Sequence, residues 1–218
     1  MSIAFITDFD GTITDEDFFQ YVKDAFLDEA GLVPWQRYMQ GELSHFDALK
    51  QIYGSLRVSE HELLDLIKEV SLDEWVIPTF ELLDKAQIPI YIASAGCDYY
   101  INLLMNNEIA RYKIQLITNP STYTQANGLV MDKPPQDNPF YDENVGISKA
   151  KIVKHLQQSD RRVIFAGDGP PDIEPSRYAD VVFAKKILLD KCIEEGISTK
   201  PFNSYKDIYL FFESELAK

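Results

Sequence analysis

The chain has 218 residues, with 21 Lys and Arg against 35 Asp and Glu and a formal charge of −14; 45% of its residues are apolar and 26% are charged. With ordinary counts of Gly (10) and Pro (11), this composition excludes disordered, collagen-like and fibrous classes and leaves a globular protein, either one large domain or a core with a smaller insert. The acidic balance and the lack of a basic run exclude sequence-independent nucleic-acid binding, which needs Lys and Arg to displace counterions from phosphates.

The N-terminus meets an acid at Asp8 with no basic region before it. No apolar run approaches the roughly 18 residues of a membrane span, so the sequence predicts a cytoplasmic protein with no membrane partner. The apolar run over 3–7 predicts a first strand that ends on acids. Residues 15–86 carry successive helical patterns and no convincing strand, with capping-box candidates at Ser59 with Glu62 and Ser71 with Glu74. This stretch reads as a helical insert, leaving 1–14 and 87–218 as the core. Further strand runs follow at 88–93, 162–166 and 181–184, separated by helical patterns that open at Ser148 and cover 187–195 before Gly196. Strands alternating with helices predict an α/β fold with a mostly parallel sheet. Runs at 114–118 and 129–131 flank Asn127-Gly128, a pair suited to a tight hairpin. Cys97 and Cys192 stand far apart without metal-ligand spacing and read as two reduced, packed thiols.

In an open α/β sheet, ligands gather at the carboxyl ends of the strands. There the sequence places Asp8-Phe9-Asp10-Gly11-Thr12, Ser94-Ala95-Gly96 and Gly167-Asp168-Gly169-Pro170-Pro171-Asp172. Strand alternation sends Asp8 and Asp10 the same way, giving two carboxylates that repel unless a cation or a shared proton separates them. Each motif alone could be an ordinary turn or cap. Three at successive strand ends are more economically explained by one shared site.

The combination resembles the haloacid dehalogenase superfamily of phosphohydrolases over nearly the whole chain. Asp8-x-Asp10-Gly11-Thr12 is similar to its first motif, Ser94 to its second, Lys149 (with Lys151 in reserve) to its third, and Gly167-Asp168-x-x-x-Asp172 to its fourth. The resemblance implies a Rossmann-like core with a helical cap inserted after the first strand. It also implies phosphoryl transfer through an aspartyl phosphate, with Asp8 as nucleophile and Asp10 as general acid and base. Mg2+ is the implied cofactor, since the candidate ligands are oxygens, held by the side chains of Asp8 and Asp168 and the backbone carbonyl of Asp10. Ser94, Lys149 and the backbone N–H groups near Phe9, Ala95 and Gly96 would grip the phosphate. Thr12 would support the site, and Asp172 would support the metal's waters or orient Lys149.

A helical insert between the first two motifs is similar to the cap of the phosphoserine-phosphatase-like branch, which implies a small phosphorylated metabolite as partner. Ile90-Tyr91-Ile92-Ala93-Ser94-Ala95-Gly96-Cys97-Asp98-Tyr99-Tyr100, the approach from Gly146 to Lys149, and Phe183-Ala184-Lys185-Lys186-Ile187-Leu188-Leu189 resemble the methionine-salvage phosphatases of 2-hydroxy-3-keto-5-methylthiopentenyl 1-phosphate. The segment before Lys149 departs from that pattern, with no Cys or His in Pro134-Pro135-Gln136-Asp137-Asn138-Pro139-Phe140. Phosphoserine phosphatases are the alternative, since Met39-Gln40-Gly41-Glu42-Leu43 resembles part of their cap. Asp17 stands near the place of their cap acid, but Ile52 falls where their arginine belongs. Phe18, Phe19, Tyr21, Tyr99 and Tyr100 could instead line an apolar pocket. His45, His61 and His155 read as surface residues. Ser94 is no esterase nucleophile, because Ile92 occupies the first glycine position of a G-x-S-x-G elbow. A non-catalytic binding protein on the same fold would have lost Asp8, Asp10 or Asp168, and all three are present. No motif bears on oligomeric state.

Overall fold

The computed structural model describes residues 2–217. It begins with β1 (Ser2–Thr7), followed by five helices: α1 (Phe18–Phe26), α2 (Val33–Met39), α3 (His45–Gly54), α4 (Glu60–Lys68) and α5 (Val76–Lys85). Next come β2 (Ile90–Cys97), α6 (Asp98–Arg111), β3 (Gln115–Asn119), β4 (Ser121–Thr124), β5 (Gly128–Met131), β6 (Tyr141–Asp142), β7 (Gly146–Ile147) and α7 (Lys149–Gln157). The chain closes with β8 (Arg161–Gly167), a 3-10 turn (Pro170–Asp172), α8 (Ile173–Ser176), β9 (Val181–Ala184), α9 (Lys186–Glu195), β10 (Lys200–Pro201) and α10 (Tyr205–Leu216).

Six strands form one sheet in the order β10-β9-β8-β1-β2-β3, and every pair in it is parallel. The central strands read as unbroken apolar runs because both of their faces are buried. Along β1 and β8, Ala4, Ile6, Val163 and Phe165 face one core with Val153, Leu156 and Leu188 of the helices α7 and α9. The alternate residues Phe5, Ile164 and Ala166 face the other core, with Phe80, Tyr205 and Phe212 of α5 and α10. β1 sits between β8 and β2, so the chain leaves it in both directions across the sheet. Such a switch opens a crevice at the strand ends, and three adjacent strands deliver the three motifs to it.

The helices before β2 divide by packing. α5 lies against α10, with Phe80 and Tyr205 rings 6.3 Å apart and Trp75 and Tyr209 rings 5.2 Å apart. The stretch α1 to α4 instead leans on the excursion after β3: Phe46 N–H donates to the Asn144 carbonyl at 2.9 Å, the Tyr123 hydroxyl donates to the Val58 carbonyl, and Lys50 pairs with Asp132 at 3.0 Å.

Two local expectations change. The Ser59 and Glu62 capping box forms at the start of α4, but Ser71 caps no helix among the described residues. Its neighbour Leu72 bridges Thr14 as extended chain, and Asp73 accepts from the Trp75 N–H at 2.8 Å to turn the chain into α5. The hairpin at Asn127-Gly128 also forms, but its first strand is β4, paired antiparallel with β5. Residues 114–118 belong largely to β3, which adds in parallel to β2 and extends the main sheet. Both cysteines are buried and unbridged. No helix among the described residues is long and apolar enough to cross a membrane.

Candidate active site

The end of β1 is fixed by the Asp8 N–H donating to the Ala166 carbonyl of β8 at 2.9 Å. Asp8 Oδ1 accepts from the Phe9 N–H at 2.7 Å and pairs with Lys149 Nζ at 2.7 Å. These bonds leave Oδ2 without a hydrogen-bond partner among the described residues. Lys149 opens α7 behind the Ser148 N-cap, which brings its buried ammonium between Asp8 and Asp172, 2.6 Å from Asp172 Oδ1. The other oxygen of Asp172 accepts from the N–H groups of Asp168 at 3.0 Å and Gly169 at 3.1 Å. Both oxygens of Asp172 are therefore engaged, so that it folds the loop after β8 and aims Lys149.

Asp168 is held at Oδ1 by the Thr12 hydroxyl, 3.1 Å away, and at Oδ2 by Lys186 at 3.3 Å. Gly11 of the first motif has φ +67°, and a Cβ there would meet Asp168 Oδ2 at 2.3 Å. Only glycine lets the first and fourth motifs approach this closely. Asp8, Asp168 and Asp172 are buried, and each offers an oxygen within 4.8 Å of the others. An all-oxygen, anionic donor set of this kind fits a hard divalent cation such as Mg2+.

Asp10 joins the core to α1. Its Oδ1 accepts from the Phe18 N–H at 3.1 Å, placing a carboxylate at a helix N-terminus, where its charge is favoured. Its Oδ2 accepts from the Tyr100 hydroxyl at 2.5 Å and the Ser94 hydroxyl at 3.3 Å. Ser94 lies within β2, not at a helix cap, in a stretch where the pairing with β3 shifts register between Ala93 and Cys97. Asn119 Nδ2 ties that irregular stretch down by donating to the carbonyls of Ala95 and Gly96, each at 3.0 Å. A Cβ on Gly96 would stand 2.0 Å from the Tyr100 hydroxyl, so the glycine is what allows Tyr100 to reach Asp10.

Burial pushes the Asp8 carboxyl well above the usual range, Asp172 and Asp168 add to this, and Lys149 opposes it. Burial and then Asp172 raise Asp168. Burial raises Asp10 against the hydrogen bonds from Tyr100 and Phe18. For Lys149, burial alone would lower the pKa, but Asp172 and Asp8 outweigh it and the ammonium titrates above an ordinary lysine. Asp17, at the rim, is raised to about 7 by desolvation and then by Asp10 and Asp168, although the residue keeps much of its surface in solvent.

A cavity of about 240 Å³ opens onto these groups. Of the residues expected from sequence, Asp8, Asp10, Asp17, Ser94, Ala95, Gly96, Lys149 and Asp168 border it. Phe9, Thr12, Phe18 and Asp172 lie behind that lining. The Phe9 N–H is already engaged by Asp8 Oδ1, and the Phe18 ring stacks on Tyr100 at 4.2 Å. Among the aromatic candidates, Phe19 and Tyr100 face the cavity, whereas Tyr21 and Tyr99 do not. Sequence reasoning missed Trp35, Tyr38, Met39, His45, Leu49 and Lys186. Leu49 and Tyr53 follow His45 at steps of four along α3, a helical stripe readable only once the facing wall is known. His45 is no surface residue: its ring stands edge-on to Trp35 at 6.0 Å and Tyr38 at 5.4 Å.

Residues 3–201 match the model of the Putative Phosphatase family. The chain is 27% identical over 210 residues to the 2-hydroxy-3-keto-5-methylthiopentenyl-1-phosphate phosphatase of Bacillus cereus, covering 95% of this chain and 94% of that one. It is 26% identical to the Bacillus thuringiensis protein of the same name, with the same coverage. Among solved structures, a phosphoserine phosphatase with a phospho-aspartyl intermediate analogue superposes with a TM-score of 0.68 at 16% identity, over 96% of this chain and 98% of that one. The phosphoserine phosphatase of T. onnurineus gives 0.66 at 16% identity, over 97% and 94%. The matched span, the parallel sheet and the motif residues gathered at its strand ends lead to one assignment: this chain belongs to the Putative Phosphatase family, on the haloacid dehalogenase fold.

Proposed function

We propose that the protein hydrolyses a small phosphomonoester through a phosphorylated Asp8, with Mg2+ as cofactor. The observation that carries this reading is the buried cluster in which Lys149 bridges Asp8 and Asp172 at 2.7 and 2.6 Å while Asp168 stands within ion-binding distance. Asp8 and Asp168 would hold Mg2+, together with the Asp10 backbone carbonyl, and the bound ion would neutralise phosphate charge.

Asp8 Oδ2, free of protein donors, attacks phosphorus in line and forms the new O–P bond. The bond from phosphorus to the ester oxygen breaks, and that oxygen takes its proton from Asp10, whose burial favours the protonated form. Asp10, now charged and held by Tyr100, Ser94 and the Phe18 N–H, then removes a proton from water as the water oxygen bonds to phosphorus; the bond from Asp8 Oδ2 to phosphorus breaks, inorganic phosphate leaves and the Asp8 carboxylate is regenerated. Lys149 and Ser94 bind the transferring phosphate oxygens. Helices α1 to α4 serve as a cap that shields the reaction from solvent.

The cavity beyond the phosphate site is suited to an uncharged tail. Phe19, Trp35, Tyr38, Leu49 and Tyr53 form its walls, and Met39 (71% exposed) and Ile187 (52%) form an open apolar rim. No arginine borders it among the described residues, so the carboxylate of phosphoserine would lack a guanidinium partner. This wall, together with the relatives' name, supports 2-hydroxy-3-keto-5-methylthiopentenyl 1-phosphate as substrate. A hydrolysis screen over that ester, phosphoserine, phosphoethanolamine and pyridoxal phosphate, run with Mg2+ and with chelator, tests the reading. The methylthiopentenyl ester should lead the panel, chelation should silence it, and Asp8→Asn should lower kcat by more than roughly 10³-fold. Retention of most activity in Asp8→Asn rejects the nucleophile.

A further inference from the structure

The three histidines differ in what they meet. His61 keeps 83% of its side-chain surface in solvent beside Asp65, and the His155 ring meets Phe140 at 5.5 Å. His45 borders the catalytic cavity, and its Nδ1 is buried without a hydrogen-bond partner. Ser44 caps α3 directly before it, and the Trp35 and Tyr38 rings, at interplanar angles of 70° and 76°, fix its plane. A buried ring nitrogen left unpaired is costly, and because His45 itself lines the cavity, a ligand there is what can meet the polar edge of the ring.

Burial and then the charge of Lys149 lower the His45 pKa to about 4, so the ring is neutral near pH 7. A neutral imidazole offers one donor and one acceptor and no charge. It is therefore matched to an uncharged oxygen, and unsuited to gripping a phosphate or carboxylate. His45 shares this cavity with Lys149 and Asp8 of the phosphate end, while Leu49 and Tyr53 continue the α3 stripe as apolar wall.

We infer that His45 determines specificity by hydrogen-bonding a hydroxyl or carbonyl oxygen on the substrate carbons between the phosphate and the apolar tail; this rests on the phosphatase reading above. The test compares kcat/KM for n-butyl phosphate, 2-hydroxybutyl phosphate and 2-oxobutyl phosphate in wild type, His45→Phe and His45→Gln with Mg2+. His45→Phe keeps a ring of similar size but cannot make the bond. The preference for the oxygenated esters over butyl phosphate should fall roughly three- to tenfold in it, the worth of one net hydrogen bond, and His45→Gln should restore most of the loss. A purely structural role would lower all three substrates together and leave the ratios fixed. Should His45→Phe fail to fold, the same ratios in His45→Ala decide. Unchanged ratios overturn the role of His45 and leave the phosphatase reading standing. Hydrolysis of none of the three by wild type overturns that reading and this inference with it.

Discussion

The Tyr100 hydroxyl, 2.5 Å from Asp10 Oδ2, and the Phe18 N–H, 3.1 Å from Oδ1, favour the charged form of a carboxyl that burial pushes the other way. Removing the hydroxyl in Tyr100→Phe weakens only the charged form, so the Asp10 pKa rises further. The acid form required for protonating the leaving group then persists to higher pH. A hydrogen bond to a charged group is worth roughly 1.5–3 kcal/mol, and 1.36 kcal/mol corresponds to one pKa unit. The alkaline limb of the kcat profile should accordingly move up by about one to two pH units, with a lower maximum because Asp10 is less firmly held. An unmoved limb removes Tyr100 from the control of Asp10. Gly96→Ala should act the same way, since its Cβ would stand 2.0 Å from the Tyr100 hydroxyl. The acids were legible in the sequence because each follows an apolar strand, whereas Tyr99 and Tyr100 are neighbours that only the tertiary fold tells apart. Tyr100 is buried against Phe18 and Asp10, and Tyr99 turns to Tyr123, 5.9 Å away.

Helices α3 and α4 stand or fall by local signals as well as by burial. Ser44 accepts from the Asp47 N–H at 3.0 Å at the start of α3, and Ser59 accepts from the Glu62 N–H at 3.2 Å at the start of α4. Replacing either serine by alanine should cost about 1 kcal/mol of stability. Of these two helices, α3 borders the cavity, through His45, Leu49 and Tyr53, and α4 contributes none of its lining. Ser44→Ala should therefore also raise KM severalfold, while Ser59→Ala keeps the wild-type KM; equal KM values in the two variants would separate α3 from substrate binding. The capping box at Ser59 could be read from four residues because it closes on itself. Ser71 and Glu74 present the same spacing, but Leu72 is claimed by Thr14, 58 positions earlier, and no local window contains that partner. The central strands were equally plain, since burial on both faces leaves one apolar run. The edge of the sheet was not: residues 114–118 carry the same run whether they pair with β5 or with β2, and tertiary packing chose β2.

For the whole molecule, a formal charge of −14 matters less than where the acids converge, because charges beyond roughly 8 Å are largely screened in physiological salt. Asp8, Asp10 and Asp168 all have raised pKa values, with burial as the largest cause of each. A carboxyl whose folded pKa lies above its unfolded value binds more protons in the native state, so it contributes stability at low pH and loses it as pH rises through the folded value. In chelator, the protein should therefore lose stability from about pH 4 upward as these groups ionise against one another. Mg2+ competes for the same oxygens, so the stabilisation it gives should grow over that range. At a hundredfold excess over its Kd it would add about 2.7 kcal/mol, or roughly 5–10 °C in Tm for a chain of this length. Thermal melts at pH 5 and pH 7.5, each with chelator and with Mg2+, read this directly, and the difference between the paired melts cancels groups remote from the site. Asp168→Asn removes one repelling charge and one ligand, so it should raise the chelator Tm at pH 7.5 and abolish most of the Mg2+ gain. A Mg2+ gain that is the same at both pH values, or that survives in Asp168→Asn, would place the ion away from the strand ends where these acids meet.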